Sequence, residues 1–326
     1  MLAQGSLLGM STLSDASRVE LWLKIGSTLE ASLAELDAFW DPWAAACVKI
    51  HEEATQTIEQ LGLGFITGFG SGVSGFASST SDVDLNLSTP EGADPKEMME
   101  ALASFLEGRF YVTRIINHKA PVFKLFEQSS GVEVDVCVNN ALGIHNTGLV
   151  RSYAAYDARA RALGRAVKEW ARSSGLVGTQ DGMLSGYSWI LLVIYFLQCL
   201  EPCVLPNLQD AKILAEGGVP DCRLIDAASG KEYDARFEEN THQQTASGLV
   251  ARWPTQNEMS LGELTLRFFK FYAREFDWKR HMVCPARAKA GHRMPKSLGH
   301  FVDPAGNQVP VAEDAWAVQD PFNKVF

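Results

Sequence analysis

The sequence predicts an α+β protein in which a small mixed β-sheet domain packs against a helical domain built from both ends of the chain. Three observations lead there. Residues 65–139 alternate apolar and polar in short runs, the period of strands with one covered face. The segments on either side repeat their apolar residues at helical spacing. A chain of 326 residues, 46% hydrophobic and 21% charged, is long enough for two ordinary domains. The expected boundaries are 50–150 for the sheet domain, with 1–49 and 151–326 forming the helical one.

From the N-terminus, Val19, Trp22, Leu23, Leu29, Leu33, Leu36 and Trp40 stand near helical spacing, and a second helix is expected from Trp43 to Leu61. Strands are expected from Phe65, through Val83-Leu85-Leu87, Tyr111 to Ile116, Val122 to Phe126, and Val132 to Val138, with a helix at Pro95 to Leu106. Helical spacing returns in Ala155 to Ser173, Leu184 to Leu200 and Leu261 to Phe276. Residues 217–259 are polar, with Gly and Pro, and read as loop-rich.

Several function classes recede at once. A net charge of −10 argues against a protein that coats nucleic acid, because displacing counterions from phosphates needs clustered Lys and Arg. Gripping a short single-stranded end remains compatible with it. The longest apolar run, Trp189 to Leu197, falls far short of the roughly 20 residues that span a bilayer, so no membrane partner is expected. Residues 1–20 hold Arg18 and two acids, the pattern of neither a secretory signal nor an Arg-rich transit peptide. The six cysteines form no Cys-x-x-Cys pair and read as free thiols of a reducing intracellular compartment, mitochondrion or cytoplasm.

The chemistry concentrates in Phe69-Gly70-Ser71-Gly72-Val73-Ser74-Gly75 and the following Asp82-Val83-Asp84. Gly70 and Gly72 allow close backbone approach, so amides and the Ser71 hydroxyl can meet a phosphate; alone, such a loop is an ordinary turn. Residues two apart on a strand share a face, so Asp82 and Asp84 project together beside that loop. Two such charges repel, and a hard divalent cation compensates them. The alternative of a solvated edge strand accounts less well for the apolar Val83, Leu85 and Leu87 opposite. A third acid, Asp135, lies in a strand that sets Glu133, Asp135 and Cys137 against four valines, and an acid there needs a partner or a metal. Three such carboxylates can hold two Mg²⁺ or Mn²⁺ ions for in-line displacement at an α-phosphate with pyrophosphate leaving.

The loop, the Asp-x-Asp strand and the third Asp resemble the DNA polymerase β-type nucleotidyltransferase superfamily. Further segments narrow the resemblance: Val134 to Asn140, His145-Asn146-Thr147, Gly164 to Ala171, Leu184-Ser185-Gly186-Tyr187, Leu205 to Gln209, Phe268 to Ala273, and Asp320-Pro321-Phe322. Together they are similar to terminal uridylyltransferases and noncanonical poly(A) polymerases, in the family's order from about residue 65 onward, with the compactness of the trypanosomal RNA-editing type. The resemblance implies a nucleotidyltransferase palm and a template-independent enzyme adding UMP from UTP to an RNA 3′ end, with a larger RNA-processing complex as its expected setting.

It further implies that Asp82, Asp84 and Asp135 bind metal and that Asp135 helps activate the RNA 3′ hydroxyl. Gly70 and Ser71 would meet the β and γ phosphates, Asn146 and Thr147 the ribose and base, and Lys168 and Arg172 the triphosphate's end. Ser185 and Gly186 would lie near the phosphates and Tyr187 would stack on the base. Departures are Arg172 where the family has lysine, Gly186 where it commonly has serine, and Asn323 where it has glutamate. Plainer roles exist for each: a solvated face for Lys168 and Arg172, core packing for Tyr187, and a helix cap for Asn146-Thr147. Arg114, Lys119 and Lys124, from strands adjoining that of Asp135, form the densest basic group near the expected cleft and are expected to guide the RNA.

For base choice, Asp320 can accept from the uracil N3–H, or else it merely caps the turn before Pro321, while Asn323 can donate as well as accept. The alternatives to a uridylyltransferase are an ATP-using poly(A) polymerase and a catalytically inactive RNA-binding scaffold subunit. Retention of the three acids with Ser71 and Lys168 speaks against the scaffold.

Overall fold

The computed structural model describes residues 14–78, 81–106, 110–115, 122–127, 131–178, 182–225, 232–298, 300–302, 308–312 and 316–322. The chain divides into two compact units: the described residues of 36–154 and 214–239 make one, those of 1–35, 155–213 and 240–326 the other. Residues 214–239 thus fall with the sheet and not, as expected, with the helical segments. The reason is local packing: the Phe237 ring and the Glu239 carboxylate both lie against Gly148, which belongs to the same unit.

The first helix, α1 (Asp15–Leu61), is one continuous 47-residue helix where two were expected. Pro42 reads as a breaker because it lacks an N–H, yet it removes one rung of the ladder without ending the helix.

In the first unit, strand β1 (Phe65–Phe69) leads into a single turn, α2 (Gly70–Ser74), and then β2 (Val83–Ser88). Helix α3 (Pro95–Leu106), with the expected bounds, precedes β3 (Phe110–Ile115), β4 (Val122–Glu127) and β5 (Glu133–Val138). These strands form a mixed sheet in the order β1-β2-β5-β4-β3, in which β2 and β5 run parallel and the other pairs antiparallel.

One sheet face is apolar. Leu85, Leu87, Phe123, Leu125, Val134 and Val136 bury there with Ile58 of α1 and Met99 and Leu102 of α3. Alternation at period two then forces Asp84, Lys124, Phe126, Glu133 and Asp135 onto the other face. Helix α4 (Ala141–Tyr156) completes the unit's main elements.

The helical unit holds α5 (Ala158–Ser173), capped by Asp157, and the nearly all-buried α6 (Gly186–Cys199), capped by Ser185. It also holds α8 (Leu261–Lys270), which follows the short α7 (Ala211–Gly217) in the chain. At Phe271–Glu275 the α8 spiral widens into one π turn, and Phe268, Phe271, Tyr272 and Phe276 pack edge to face or tilted around it. Near the N-terminus of the unit two helices meet backbone to backbone: a Cβ on Gly262 would lie 1.8 Å from the Trp22 carbonyl oxygen and 2.7 Å from the Gly26 nitrogen.

Candidate active site

Strand register brings two of the three acids together. Asp84 and Asp135 are direct partners on the parallel pair β2 and β5, which sets their backbones about 4.8 Å apart with both side chains on the polar face. Asp82 stands two residues upstream, just before β2 begins. On the other side, Lys124 is the register partner of Asp135, and its Nζ donates to both carboxylate oxygens at 3.0 and 2.8 Å.

That ion pair holds the Lys124 ammonium above its usual range, the hydrogen bond to Asp135 first and the charges of Asp135, Asp82 and Glu133 after it. Cys137, on the same face, is pushed up to about 11, chiefly by burial and then by the Asp84 and Asp135 carboxylates. Mutual repulsion among the acids is offset here by lysine.

The glycine turn is fitted to this row. Gly70 has φ +72°, and a Cβ there would fall 1.8 Å from Asp84 Oδ2, so only glycine brings the turn this close to the carboxylate. The Gly70 N–H donates to Thr147 Oγ1 at 2.8 Å, while that hydroxyl donates to the Gly143 carbonyl, also at 2.8 Å. Thr147 therefore clamps the turn to α4. Asn146 and Thr147 do not cap the start of a helix; they lie in its second turn, and the Asn140 side chain accepts the Gly143 N–H at 2.9 Å. Ser71, partly exposed, sits at the second position of the turn.

In the sheet unit, then, Gly70, Ser71, Asp82, Asp84, Asp135 and Thr147 come together. Among the described residues no three His, Cys, Asp or Glu side chains are already disposed as a metal site. The donor chemistry nevertheless suits hard divalent cations: two carboxylates in register, a third two residues away, and Gly70 against Asp84.

The basic group divides. Arg114 pairs with Phe123, which is buried in the core, whereas Lys124 pairs with Thr113. Strand parity places position 114 on the opposite sheet face from Lys124 and the acids, and the Arg114 side chain lies outside the described residues. Lys119 lies outside the described residues, as does Asn323.

The helical unit assembles the remaining candidates. Lys168 and Arg172, both partly exposed, lie four apart on α5. A Cβ on Gly186 would come within 3.2 Å of the Lys168 Cε, so the glycine that departs from the family pattern makes room for the lysine stem at the α6 N-terminus. Ser185 caps that helix, accepting the Ser188 N–H at 3.0 Å. Trp189 donates its indole N–H to the Leu176 carbonyl and packs edge-on against Trp170, which fixes α6 against α5.

Asp320 holds two bonds at once. Its Oδ1 accepts the Phe322 N–H at 3.0 Å, the turn-capping role, and its Oδ2 accepts the Tyr187 hydroxyl at 3.3 Å. Burial and the adjacent Asp320 carboxylate raise the Tyr187 phenol well above its ordinary value, so it stays a neutral donor. Sequence reasoning missed the supports of this pair. Gln209 Nε2 donates to the Pro321 carbonyl at 3.2 Å, and Asn207 Nδ2 donates to the Ala286 carbonyl at 3.0 Å. In sequence the Leu205–Gln209 segment is a matching motif without a role; in the structure it holds the Asp320-Pro321-Phe322 turn.

A family model for the central palm domain of mitochondrial-like poly(A) RNA polymerase matches residues 44–155, and one for the Cid1 family poly A polymerase matches residues 260–325. Human poly(A) RNA polymerase GLD2 is 34% identical over 234 residues, covering 68% of this chain and 45% of that protein. Human terminal uridylyltransferase 4 is 35% identical over 225 residues, covering 66% of this chain and 13% of that protein. The chain thus spans less than half the length of these curated relatives.

Among solved structures, a Cid1 structure associated with RNA terminal uridylyl transferase activity superposes with a TM-score of 0.71 at 24% identity, over 87% of this chain and 80% of that one. A cytoplasmic RNA terminal U-transferase gives 0.68 at 25% identity, over 83% and 78%. With the paired acids, the glycine turn and both family matches in one chain, this protein belongs to the noncanonical poly(A) polymerase and terminal uridylyltransferase family.

Proposed function

We propose that this chain is a template-independent RNA 3′-terminal nucleotidyltransferase that prefers UTP. The observation that carries the reading is the Asp84–Asp135 register with Gly70 set against the Asp84 carboxylate. Asp82, Asp84 and Asp135 would hold divalent cations, whose charge would favour displacement at the α-phosphate by an RNA 3′ hydroxyl with pyrophosphate leaving.

The protein's own groups do the rest. Within the sheet unit, Ser71 and the amides of its turn suit phosphate oxygens; within the helical unit, the charges of Lys168 and Arg172 suit a polyphosphate. Tyr187 supplies a flat face for the base. Its hydroxyl orients the Asp320 carboxylate, an acceptor whose charge suits the uracil N3–H and repels the N1 lone pair of adenine. Lys124, 2.8 Å from Asp135 Oδ2, would give up that pairing if Asp135 held a cation, which would leave its ammonium for an RNA phosphate.

A second reading, ATP as substrate, is supported by relatives named as poly(A) RNA polymerases. Extension of a short RNA primer by each of the four NTPs in Mg²⁺ tests both. UTP incorporation faster than ATP is expected, with Asp84→Asn and Asp135→Asn inactive but folded. Faster addition from ATP assigns a poly(A) polymerase, and wild-type-like extension by either variant rejects the site.

A further inference from the structure

We infer that Tyr111 and Phe126 form a stacking platform for bases of the RNA acceptor strand just 5′ of its terminal nucleotide, an inference that rests on the RNA-extending activity proposed above. The two are direct partners across β3 and β4, 65% and 41% exposed, with ring centroids 6.4 Å apart and planes 29° from parallel. Side by side, they present one broad aromatic surface. Singly exposed aromatics are ordinary, but a paired platform in line with a catalytic row is not explained by core packing. The core lies on the other face, where Phe123 and Leu125 are 2% and 4% exposed.

Register fixes the platform's place relative to the chemistry. Phe126 pairs with Glu133 and Lys124 with Asp135, so the rings lie on the carboxylate face, two residues or about 7 Å along β4 from Lys124. A lysine beside successive aromatic faces is the arrangement that binds single strands without reading their sequence, since every base has a π-face. Glu133, exposed on the same face, would repel phosphates, which favours bases over the rings and the sugar-phosphate chain on the Lys124 side. With a net charge of −10, affinity for RNA must draw more on stacking than on phosphate neutralisation. The plainer role, a cross-strand pair that only steadies the β3–β4 hairpin, predicts no change in RNA binding when the rings are replaced by leucine.

The test measures affinity for a short single-stranded RNA by fluorescence anisotropy, with KM for RNA and for UTP measured alongside. It compares wild type, Tyr111→Leu/Phe126→Leu, the ring-keeping Tyr111→Phe, and Phe65→Leu. Phe65 is 61% exposed on the far edge strand of the same face and serves as control. The double variant should raise the RNA Kd and KM about tenfold, with KM for UTP and the melting temperature near wild type. Tyr111→Phe and Phe65→Leu should match wild type.

In wild type alone, 2-aminopurine placed one or two nucleotides from the RNA 3′ end should be quenched on binding, a readout that does not depend on whether the double variant folds. RNA that is bound and extended by wild type with the double variant equal to it, or unquenched 2-aminopurine in that complex, overturns the platform and leaves the pair to the hairpin or a protein partner. A wild type that neither binds nor extends RNA overturns the proposed activity and this inference together.

Discussion

At Gly70 two constraints act on one missing atom: φ is +72°, and the space a Cβ would take is filled by the Asp84 carboxylate. Alanine there meets a backbone penalty of about 1–2 kcal/mol and displaces a carboxylate whose position matters to the chemistry. Gly62 separates the two effects, because its φ is +65° and an added methyl group would meet nothing within 4 Å. Gly62→Ala should lose about 1 kcal/mol in chemical denaturation with kcat unchanged. Gly70→Ala should lose a similar amount and at least about 100-fold in kcat; equal kcat in the two variants would show that the Gly70–Asp84 contact has no catalytic weight. The glycines and acids were legible in sequence because residue type alone carries their chemistry. Their mutual distance was not: nothing in the spacing of Asp84 and Asp135 says that β2 and β5 are neighbours and parallel.

Elements were legible where one periodicity dominated. Pro95–Leu106 matched its expected bounds, and the strands matched within a residue or two, because one face of each is buried in the same core. Expectation failed where a residue's usual role was overridden. The break expected between Trp40 and Trp43 does not occur, because the helix runs on through Pro42, and the plainer role of Asn146-Thr147 as a helix cap falls instead to the Asn140 side chain. Nearness in sequence to Lys124 likewise says nothing of which face position 114 takes.

Helix α4 carries a pH-sensitive residue one position before that pair. Burial lowers the His145 pKa below 6.5, with Glu239 opposing more weakly. As pH falls through 6.5 the unfolded chain takes up a proton that the folded helix resists, so stability is full above that value and declines as the folded pKa is approached. The drop in melting temperature between pH 7 and pH 5 should be smaller in His145→Gln. Equal drops in wild type and variant would assign the acid sensitivity elsewhere.

Over the whole molecule, 39 acids against 29 basic residues leave a surface that repels polyanions at long range. RNA binding should therefore engage few phosphates. At roughly 0.7 per phosphate for single strands, the slope of log Kd against log salt should stay below about 3. A steeper slope in a titration from low to moderate salt would reveal a basic channel that the sheet face does not supply. The division into two units was only partly legible, because residues 214–239 join the sheet's unit through Phe237 and Glu239 against Gly148, packing with no periodic signature.

The meeting of Gly26 and Gly262 bears on how this protein can be cut. The matched palm region starts at residue 44, which makes a fragment begun there a natural choice for expression. Such a fragment strips from Gly262 the helix backbone that lies against it and leaves a glycine groove bare on α8. Residues 15–35 are thus part of the helical unit's wall, and truncation libraries or fusion boundaries should keep them attached.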